Sequence, residues 1–209
     1  MIEIIKNLFY RLRHGMLFEA FQYRLDSIGI IIAPYYWVQE GINDISWAGL
    51  QNSFEDYTFD FLGIDEIKTI AASKTWKYSE KELLSWVNKG KKCFAAKYKG
   101  EISAFMWIDL DECKWQKLNF RLKYNEAYLF DMYTMKSFRG KGIAPYLRYQ
   151  SYKILKDKGR DKIYSLSDFF NSPSISFKKK LNAKFLKLCL YIDLFNKLHW
   201  NWVIKSYSI

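Results

Sequence analysis

Two glycines and two basic residues, in the run Arg139-Gly140-Lys141-Gly142, follow an apolar segment and precede a segment with helical periodicity. Glycine permits a tight turn in which successive backbone N–H groups point at one spot, and a helix N-terminus adds partial positive charge there. Arg139 and Lys141 add two full charges. The pattern predicts an anion-binding loop, suited to a pyrophosphate, between a strand over 127–135 and a helix over 143–158.

Two common phosphate-binding motifs do not describe this loop. The P-loop pattern G-x-x-x-x-G-K-[ST] is absent, and G-x-G-x-x-G is half met because Pro145 stands where the third glycine belongs. The spacing Arg139-x-x-Gly142-x-Ala144 instead resembles the acyl-coenzyme A loop of the GNAT superfamily of N-acetyltransferases. An ordinary basic helix start is the alternative interpretation.

A second segment, about 30 residues further on, strengthens the resemblance. It is similar to the family's Asn-x-x-Ala/Ser-x-x-Phe-Tyr-x-Lys-Leu-Gly-Phe pattern, which is matched by Asn171, Ser174, Phe177, Lys180, Leu181 and Phe185. One extra residue separates Leu181 from Phe185, and Lys178 stands where the family has tyrosine. The resemblance extends from about Lys91 to the C-terminus.

The order of predicted elements indicates an α+β fold with a central sheet. We expect a first strand over 35–39, helices over 65–73 and after the capping box Ser79-Glu82, and a hairpin of strands over 93–98 and 101–110. A polar connection over 111–124 and a terminal antiparallel pair over 186–195 and 200–204 complete it. The resemblance implies the GNAT fold, in which helices flank a mixed, mostly antiparallel sheet.

The first 34 residues are predicted to form an N-terminal amphipathic helical extension, and residues 35–209 the acyltransferase domain. Apolar residues recur at helical spacing through residues 1–28, with basic residues between them. Three partners would cover this apolar stripe: the domain itself, a second subunit in a homodimer, or a membrane surface.

Composition restricts the remaining possibilities. The 209 residues carry a net charge of +11, and half are hydrophobic. No apolar run approaches the roughly 20 residues that span a bilayer, and no nucleic-acid motif accompanies the basic residues. The three cysteines are far apart and match neither a zinc spacing nor a disulfide framework. We expect a cytoplasmic protein without a metal, which contacts a membrane if residues 1–28 lie on one.

The resemblance implies which residues hold the coenzyme. The backbone of Met132, Tyr133 and Thr134 would pair with the pantetheine arm, and the amides of the loop would meet the pyrophosphate. Asn171 would orient the coenzyme or a water molecule. The full set of coenzyme-binding candidates is Met132, Tyr133, Thr134, Arg139, Gly140, Lys141, Gly142, Ile143, Ala144, Asn171 and Ser174.

Direct attack by an amine on a thioester requires a base and is assisted by an acid. Asp131 is the first candidate base, because Phe130–Thr134 resembles the Glu-Asp-Leu-Tyr-Val of diamine acetyltransferases, and Glu126 is the second. An ion pair between Asp131 and a neighbouring lysine is the structural alternative. Tyr191 or Tyr133 replaces the missing acid tyrosine, unless the thiolate leaves unassisted.

The sequence therefore predicts an acyl-CoA-dependent N-acyltransferase that uses acetyl-CoA and a small-molecule primary amine. A weak resemblance to acyltransferase-like proteins of bacterial surface-polysaccharide and lipid pathways favours an amino sugar or an amino acid as acceptor. Two alternatives stay open. One is a long-chain N-acyltransferase whose basic patch, at Lys178–Lys180, Lys184 and Lys187, docks an acyl carrier protein; the other is a non-catalytic GNAT-like binding module.

Overall fold

The computed structural model describes residues 25–41, 51–73 and 77–207. Backbone contacts divide the chain into a central unit, residues 40–165, and a terminal unit formed by the described residues up to 39 and from 166 onward. The regular elements, in chain order, are β1 (Ile30–Glu40), β2 (Tyr57–Phe61), α1 (Ile64–Ala72), α2 (Glu80–Asn88), β3 (Lys92–Tyr98), β4 (Glu101–Asp109), β5 (Glu112–Trp115), β6 (Leu118–Arg121), β7 (Glu126–Thr134), α3 (Ile143–Asp157), β8 (Lys162–Asp168), α4 (Ser172–Lys180), β9 (Lys184–Leu194) and β10 (Leu198–Ser206).

The central unit is built on a mostly antiparallel sheet with strand order β8-β7-β4-β3-β2. The β3–β4 hairpin is formed as the sequence predicts. Its two-residue turn places Lys99 at φ 48° and Gly100 at φ 87°, a left-handed pair that matches the twist of the flanking strands. Among the strand pairs described for this unit, β7 and β8 run parallel, and α3 is the helical connection between them.

Local capping sets the starts of α1 and α2. The Ser79 hydroxyl accepts the backbone N–H of Glu82, while the Glu82 carboxylate accepts the N–H of Ser79 at 2.8 Å. This reciprocal bond confirms the predicted capping box. Glu66 reaches back to the N–H of Gly63 at 3.0 Å in the same way. Both helices bury one apolar face against the sheet, in a core cluster of Leu62, Ile67, Ile70, Leu83, Cys93, Ala95, Phe105 and Trp107.

The polar stretch 111–124 is not the simple connection that its composition predicts. It folds as the two-stranded hairpin β5–β6, in which Trp115 faces Leu118 across a turn with Gln116 at φ 53°. Each strand has only four residues, and Cys113 is the one buried side chain among the described positions of this hairpin. Each strand does alternate between polar and apolar residues, but the runs are short, and the turn Gln116-Lys117 lacks the glycine or asparagine that is typical of a two-residue hairpin.

A buried ion pair attaches α3 to the rest of the central unit. The Arg148 guanidinium donates from Nε to Glu40 at 2.9 Å and from Nη2 at 3.2 Å, and both side chains are at most 3% exposed. The hydroxyls of Tyr152 and Ser165 also donate to Glu40. Burial raises the pKa of Tyr152 well above its ordinary value, so this hydroxyl keeps its proton and remains a donor. Glu40 thereby joins α3 to β8.

In the terminal unit, β9 pairs antiparallel with β1 on one side and with β10 on the other. β9 and β10 confirm the predicted terminal pair. Their turn contains Phe195 and Asn196, both at positive φ. The first strand begins at Ile30, five residues before the predicted start at Tyr35, because Ile30–Pro34 already pair with β9 from Leu194 to Leu190.

The predicted N-terminal helix lies almost wholly outside the described residues. Within them, Leu25–Ser27 is helical and leads through Gly29, at φ 80°, directly into β1. Among the helices of the described ranges, none combines the length and apolarity needed to cross a membrane. The proposed boundary between residues 34 and 35 stays a prediction.

Candidate functional site

The C-terminal half of β7 is not paired with β8, although the first residues of β7 are. β7 and β8 pair from Glu126 and Lys162 to Tyr128 and Tyr164, whereas β7 continues to Thr134 with β4 as its neighbour on the other side. The β8-facing edge of β7 beyond Tyr128 therefore lies outside the ladder. A strand edge of this kind can pair with an extended ligand.

The predicted loop leads from the end of β7 into α3. Gly140 has φ 78° and Gly142, the N-cap residue of α3, has φ 75°, so both glycines adopt the left-handed conformation that the motif anticipates. Residues 139–142 are exposed, and the buried Ile143 holds the helix start in place. In the part of the chain that the structure describes, no hydrogen-bond acceptor faces the N–H groups of residues 140–144.

The two basic side chains of the loop lie against aromatic rings. Arg139 donates from Nε to the carbonyl of Thr134 at 3.1 Å, and its guanidinium lies 5.4 Å from the ring centre of Tyr133. The Lys141 ammonium lies 5.1 Å from the ring centre of Phe138. With the amides and the positive end of α3, these charges can hold a phosphate or pyrophosphate.

A cavity of about 410 Å³ adjoins this loop on the side of Phe138 and Lys141. Its remaining lining is mixed, with two carboxylates, a serine and two tyrosines: Glu55, Asp56, Ser53, Tyr57 and Tyr98. The carboxylates make the cavity unsuitable for a phosphate. The anion-binding capacity therefore belongs to the loop amides and not to this neighbouring cavity.

A bulge in β7 directs Asp131 out of the ladder. Phe130 faces Trp107 and Tyr133 faces Phe105, so two residues of β7, Asp131 and Met132, oppose a single residue of β4. Asp131 adopts φ 42°, which a short polar side chain tolerates better than most. Bulges of this kind re-aim side chains and are frequent next to active sites.

The Asp131 carboxylate has two partners from the segment before α2. The Tyr78 hydroxyl donates to Oδ2 at 2.9 Å, and the Lys77 ammonium lies 3.2 Å from Oδ1. Asp131 is 23% exposed, whereas Lys77 is 64% exposed. The ion pair with a lysine, which was the alternative to a catalytic role for Asp131, is thus present. The Asp131 carboxylate nevertheless remains partly exposed.

Electrostatics keeps both partners protonated. Burial raises the pKa of the Tyr78 hydroxyl, and the negative charge of Asp131 raises it further. Burial acts to lower the pKa of Lys77, but the charge of Asp131 and the contact with Tyr78 outweigh it, so that pKa is raised overall. At neutral pH the cluster therefore holds a carboxylate that faces a hydroxyl donor and an ammonium.

Aromatic rings form one side of this cluster. The Trp86 ring lies 4.7 Å from that of Tyr78 and 5.3 Å from that of Phe130, in edge-to-face arrangements. The Lys77 ammonium is 4.7 Å from the ring centre of Tyr78. A carboxylate, a hydroxyl and an aromatic face together make a binding place for an ammonium group.

Glu126, the second candidate base, lies at the other end of β7. Its carboxylate accepts the backbone N–H of Lys123 at 2.9 Å, and Arg160 donates to its carbonyl at the same distance. Asp131 is five positions further along the strand, which corresponds to roughly 16 Å at the usual rise. The structure does not bring the two carboxylates together.

The remaining candidates belong to the terminal unit. Tyr191, the sequence candidate for the acid, is fully buried and donates its hydroxyl to Asp193 at 3.1 Å. Asn171 accepts the N–H of Ser174 at 3.0 Å and so caps α4. Each of these groups thus has a structural contact within its own unit, and their assignment to a coenzyme stays a prediction.

Lys178 is buried, which the sequence did not anticipate. It is 1% exposed, and its ammonium donates to the Ser167 hydroxyl at 2.6 Å and to the Leu166 carbonyl at 3.1 Å. The predicted basic patch therefore lacks its first lysine, while Lys179 and Lys180 stay exposed. This loss weakens the argument for an acyl carrier protein that docks there.

Sequence reasoning did not single out Lys77 and Tyr78. They precede Asp131 by more than fifty residues and belong to no recognisable motif. The capping box at Ser79 predicted the start of α2, but nothing in it indicated that the two residues before it contact β7.

Comparison with known proteins extends these observations. The model of the Acetyltransferase (GNAT) family matches residues 50–182, more than half of the chain. A search of curated proteins found no match to this chain.

Three solved structures are similar to this chain. An N-acetyltransferase from Staphylococcus aureus Mu50 has a TM-score of 0.50 and 18% identity, over 72% of this chain and 100% of that one. A GNAT-family protein from Novosphingobium aromaticivorans has a TM-score of 0.52 and 16% identity, over 79% and 66%. A Drosophila protein has a TM-score of 0.54 and 11% identity, over 86% and 57%. At these identities the likeness concerns the fold, and it confirms the predicted α+β arrangement.

Proposed function

Because the chain belongs to the GNAT family of N-acetyltransferases, we propose that it transfers an acetyl group from acetyl-CoA to a primary amine of a small molecule. The observation that carries this proposal is the loop at the start of α3. Its two left-handed glycines present consecutive N–H groups, and Arg139 and Lys141 flank them.

The acyl donor would lie along the part of β7 that leaves the ladder. The backbone of Met132–Thr134 would pair with an extended pantetheine arm, and the loop over 139–144, which follows in the chain, would receive the pyrophosphate. Acetyl-CoA supplies an activated thioester, so no covalent enzyme intermediate is required. Asn171 and Ser174 stay secondary candidates for coenzyme contacts.

Asp131 is the group that we assign to the amine. Its carboxylate attracts the acceptor ammonium and takes the proton that the nitrogen loses during attack. Tyr78 is a positioning residue, since its hydroxyl holds one carboxylate oxygen and leaves the other toward the ammonium site. Tyr191 is buried, so in this scheme the thiolate leaves without its help. Tyr133, which is half-buried on β7, stays the other candidate acid.

The experiment is a titration followed by a turnover assay. Calorimetry with acetyl-CoA, palmitoyl-CoA and free coenzyme A measures which donor the loop accepts. Release of free thiol is then followed with a panel of amino sugars, amino acids and diamines. We expect acetyl-CoA to bind and at least one amine to accelerate thiol release.

Three results would contradict the proposal. Absence of binding by every coenzyme form would exclude the donor site. Binding without acceleration by any amine, including peptide amines, would favour the non-catalytic binding module. Preference for palmitoyl-CoA would move the assignment to the long-chain acyltransferase.

A further inference from the structure

The Lys77 side chain occupies the position where an acceptor amine would be expected. Its nitrogen is 3.2 Å from the Asp131 carboxylate and 4.7 Å from the ring centre of Tyr78. These are the groups that form the ammonium site described above. The side-chain nitrogen of Lys77 is therefore held beside Asp131, the carboxylate that we assign to take the proton from an attacking amine.

The local structure keeps Lys77 there. Ser79, two residues later, is fixed by its reciprocal bonds with Glu82, and Tyr78 is held between Asp131 and Trp86. A tethered and oriented amine reacts far faster than a free one at ordinary concentration, because its translational and rotational freedom is already lost. The Lys77 side chain is 64% exposed, so a reactant can approach it from solvent.

We propose that Lys77 is a self-acylation site of this protein, an inference that rests on the proposed function of the β7 site. The Lys77 ammonium first loses a proton to solvent, and the free amine that results attacks the thioester carbonyl carbon of a bound acyl-CoA. A C–N bond forms and the C–S bond breaks. Asp131 accepts the proton lost by nitrogen, the coenzyme leaves as a thiolate that takes up a proton from solvent, and Lys77 becomes a neutral amide.

The other lysines of the central unit that the structure describes lack this arrangement. Lys91 pairs with Asp109 at 2.6 Å, but both side chains are at most 9% exposed. Lys68 pairs with Asp65 on α1, which is fully exposed. Lys81 is exposed on the first turn of α2, four residues after Lys77, and serves as a matched control.

The test uses the full chain incubated with acetyl-CoA. Intact mass measures the addition of one acetyl group, and peptide mapping locates it. We expect the adduct on Lys77, its loss in Lys77→Arg, and no change in Lys81→Arg. Asp131→Asn, in which asparagine tolerates the left-handed backbone, should form the adduct about a hundredfold more slowly. The rate per chain should not depend on protein concentration, because the reaction is within one molecule.

Three results would overturn the inference alone, and a fourth would remove the proposed function as well. One is an unmodified Lys77 in a protein that binds acetyl-CoA and acetylates an added amine; the proposed function would then stand without it. Equal modification of Lys77 and Lys81, unchanged in Asp131→Asn, would mean uncatalysed chemistry. A rate proportional to protein concentration would mean transfer between molecules. Absence of acetyl-CoA binding in calorimetry would instead remove the proposed function itself, and the inference with it.

Discussion

Asp131 serves structure and chemistry with the same carboxylate. It pairs with Lys77 and Tyr78, as a merely structural carboxylate would, yet it lies in a bulge beyond the end of the β7–β8 ladder. An ion pair this exposed contributes little to stability, about 0–1 kcal/mol. The ion pair therefore does not by itself offset the free energy cost of a left-handed residue in a strand, and this favours a functional reason for the bulge.

Replacement of Asp131 by asparagine should reduce turnover far more than coenzyme binding. The amide cannot accept the proton, and general-base contributions are typically about 10²–10⁴-fold in rate. Steady-state thiol release and calorimetry with acetyl-CoA measure the two quantities. Glu126→Gln is the control, since that carboxylate caps a turn far from the bulge. Full activity in Asp131→Asn together with a loss in Glu126→Gln would reverse the assignment of the base.

Gly142→Glu should abolish acetyl-CoA binding while the protein stays folded. The side chain brings a negative charge to the proposed pyrophosphate position. Gly159→Glu is the matched control, because Gly159 has φ 73° at the other end of α3 and open space around it. Both variants incur the same backbone strain, roughly 1–2 kcal/mol. Equal coenzyme affinity of the two variants in calorimetry would remove the loop from the site.

At the scale of elements, α3 is the helix whose position decides whether the loop can work. Its apolar face is buried, but Glu40 adds a directional contact that joins Arg148 and Tyr152 of the helix to Ser165 of β8. Loss of one partner of a buried ion pair costs far more than the pair contributes when intact, because the other charge stays buried.

Glu40→Gln should therefore destabilise the fold by roughly 3–5 kcal/mol. The new amide N–H₂ faces donors, so it cannot replace the carboxylate oxygen that it displaces. Urea denaturation followed by tryptophan fluorescence measures the change. Glu101→Gln, an exposed carboxylate at the start of β4, should shift stability by no more than about 0.5 kcal/mol. A similar effect of both substitutions would contradict the anchoring role.

For the whole molecule, the three cysteines are core residues. Cys93, Cys113 and Cys189 are 2%, 1% and 3% exposed. Burial raises the pKa of all three thiols, that of Cys113 to about 12, so the reactive thiolate is scarce in the folded protein. At mildly alkaline pH, we expect a thiol reagent to modify the three cysteines of the folded protein at least about tenfold more slowly than those of the protein unfolded in urea. Rapid modification of the native protein would contradict this packing.

The N-terminal segment is the second question at this scale. Deletion of residues 1–24 should leave coenzyme binding intact but change solubility or association, because their apolar stripe needs a cover. The deletion retains Gly29, whose carbonyl accepts the N–H of Phe195. Deletion of residues 1–34 is the control that should unfold the protein, since it removes the first half of β1. Loss of folding in the shorter deletion would place the segment in the core.

Binding to anionic liposomes decides among the partners of this segment. Binding by the full chain but not by the chain without residues 1–24 would indicate a membrane surface. A change of oligomeric state in solution on deletion would indicate a second subunit. If both chains respond equally in both measurements, the segment packs on its own domain.

The sequence by itself determined the features that depend on local rules. Two glycines between an apolar strand and a helix are enough to predict the left-handed loop, the Ser79 capping box predicts the start of α2, and Lys99-Gly100 predicts the hairpin turn. Each rests on the conformational preference of a few neighbouring residues, so each could be read without the fold.

Only the tertiary structure decided what meets across the chain. The partners of Asp131 lie more than fifty residues away, the bulge arises from the register of β7 against β4, and Lys178 is buried under neighbours that its polar sequence does not announce. The β5–β6 hairpin was missed because its alternating strands are only four residues long and its turn, Gln116-Lys117, contains no glycine. Pairing, register and burial are properties of the packed chain, and so the amine site and its lysine became visible only there.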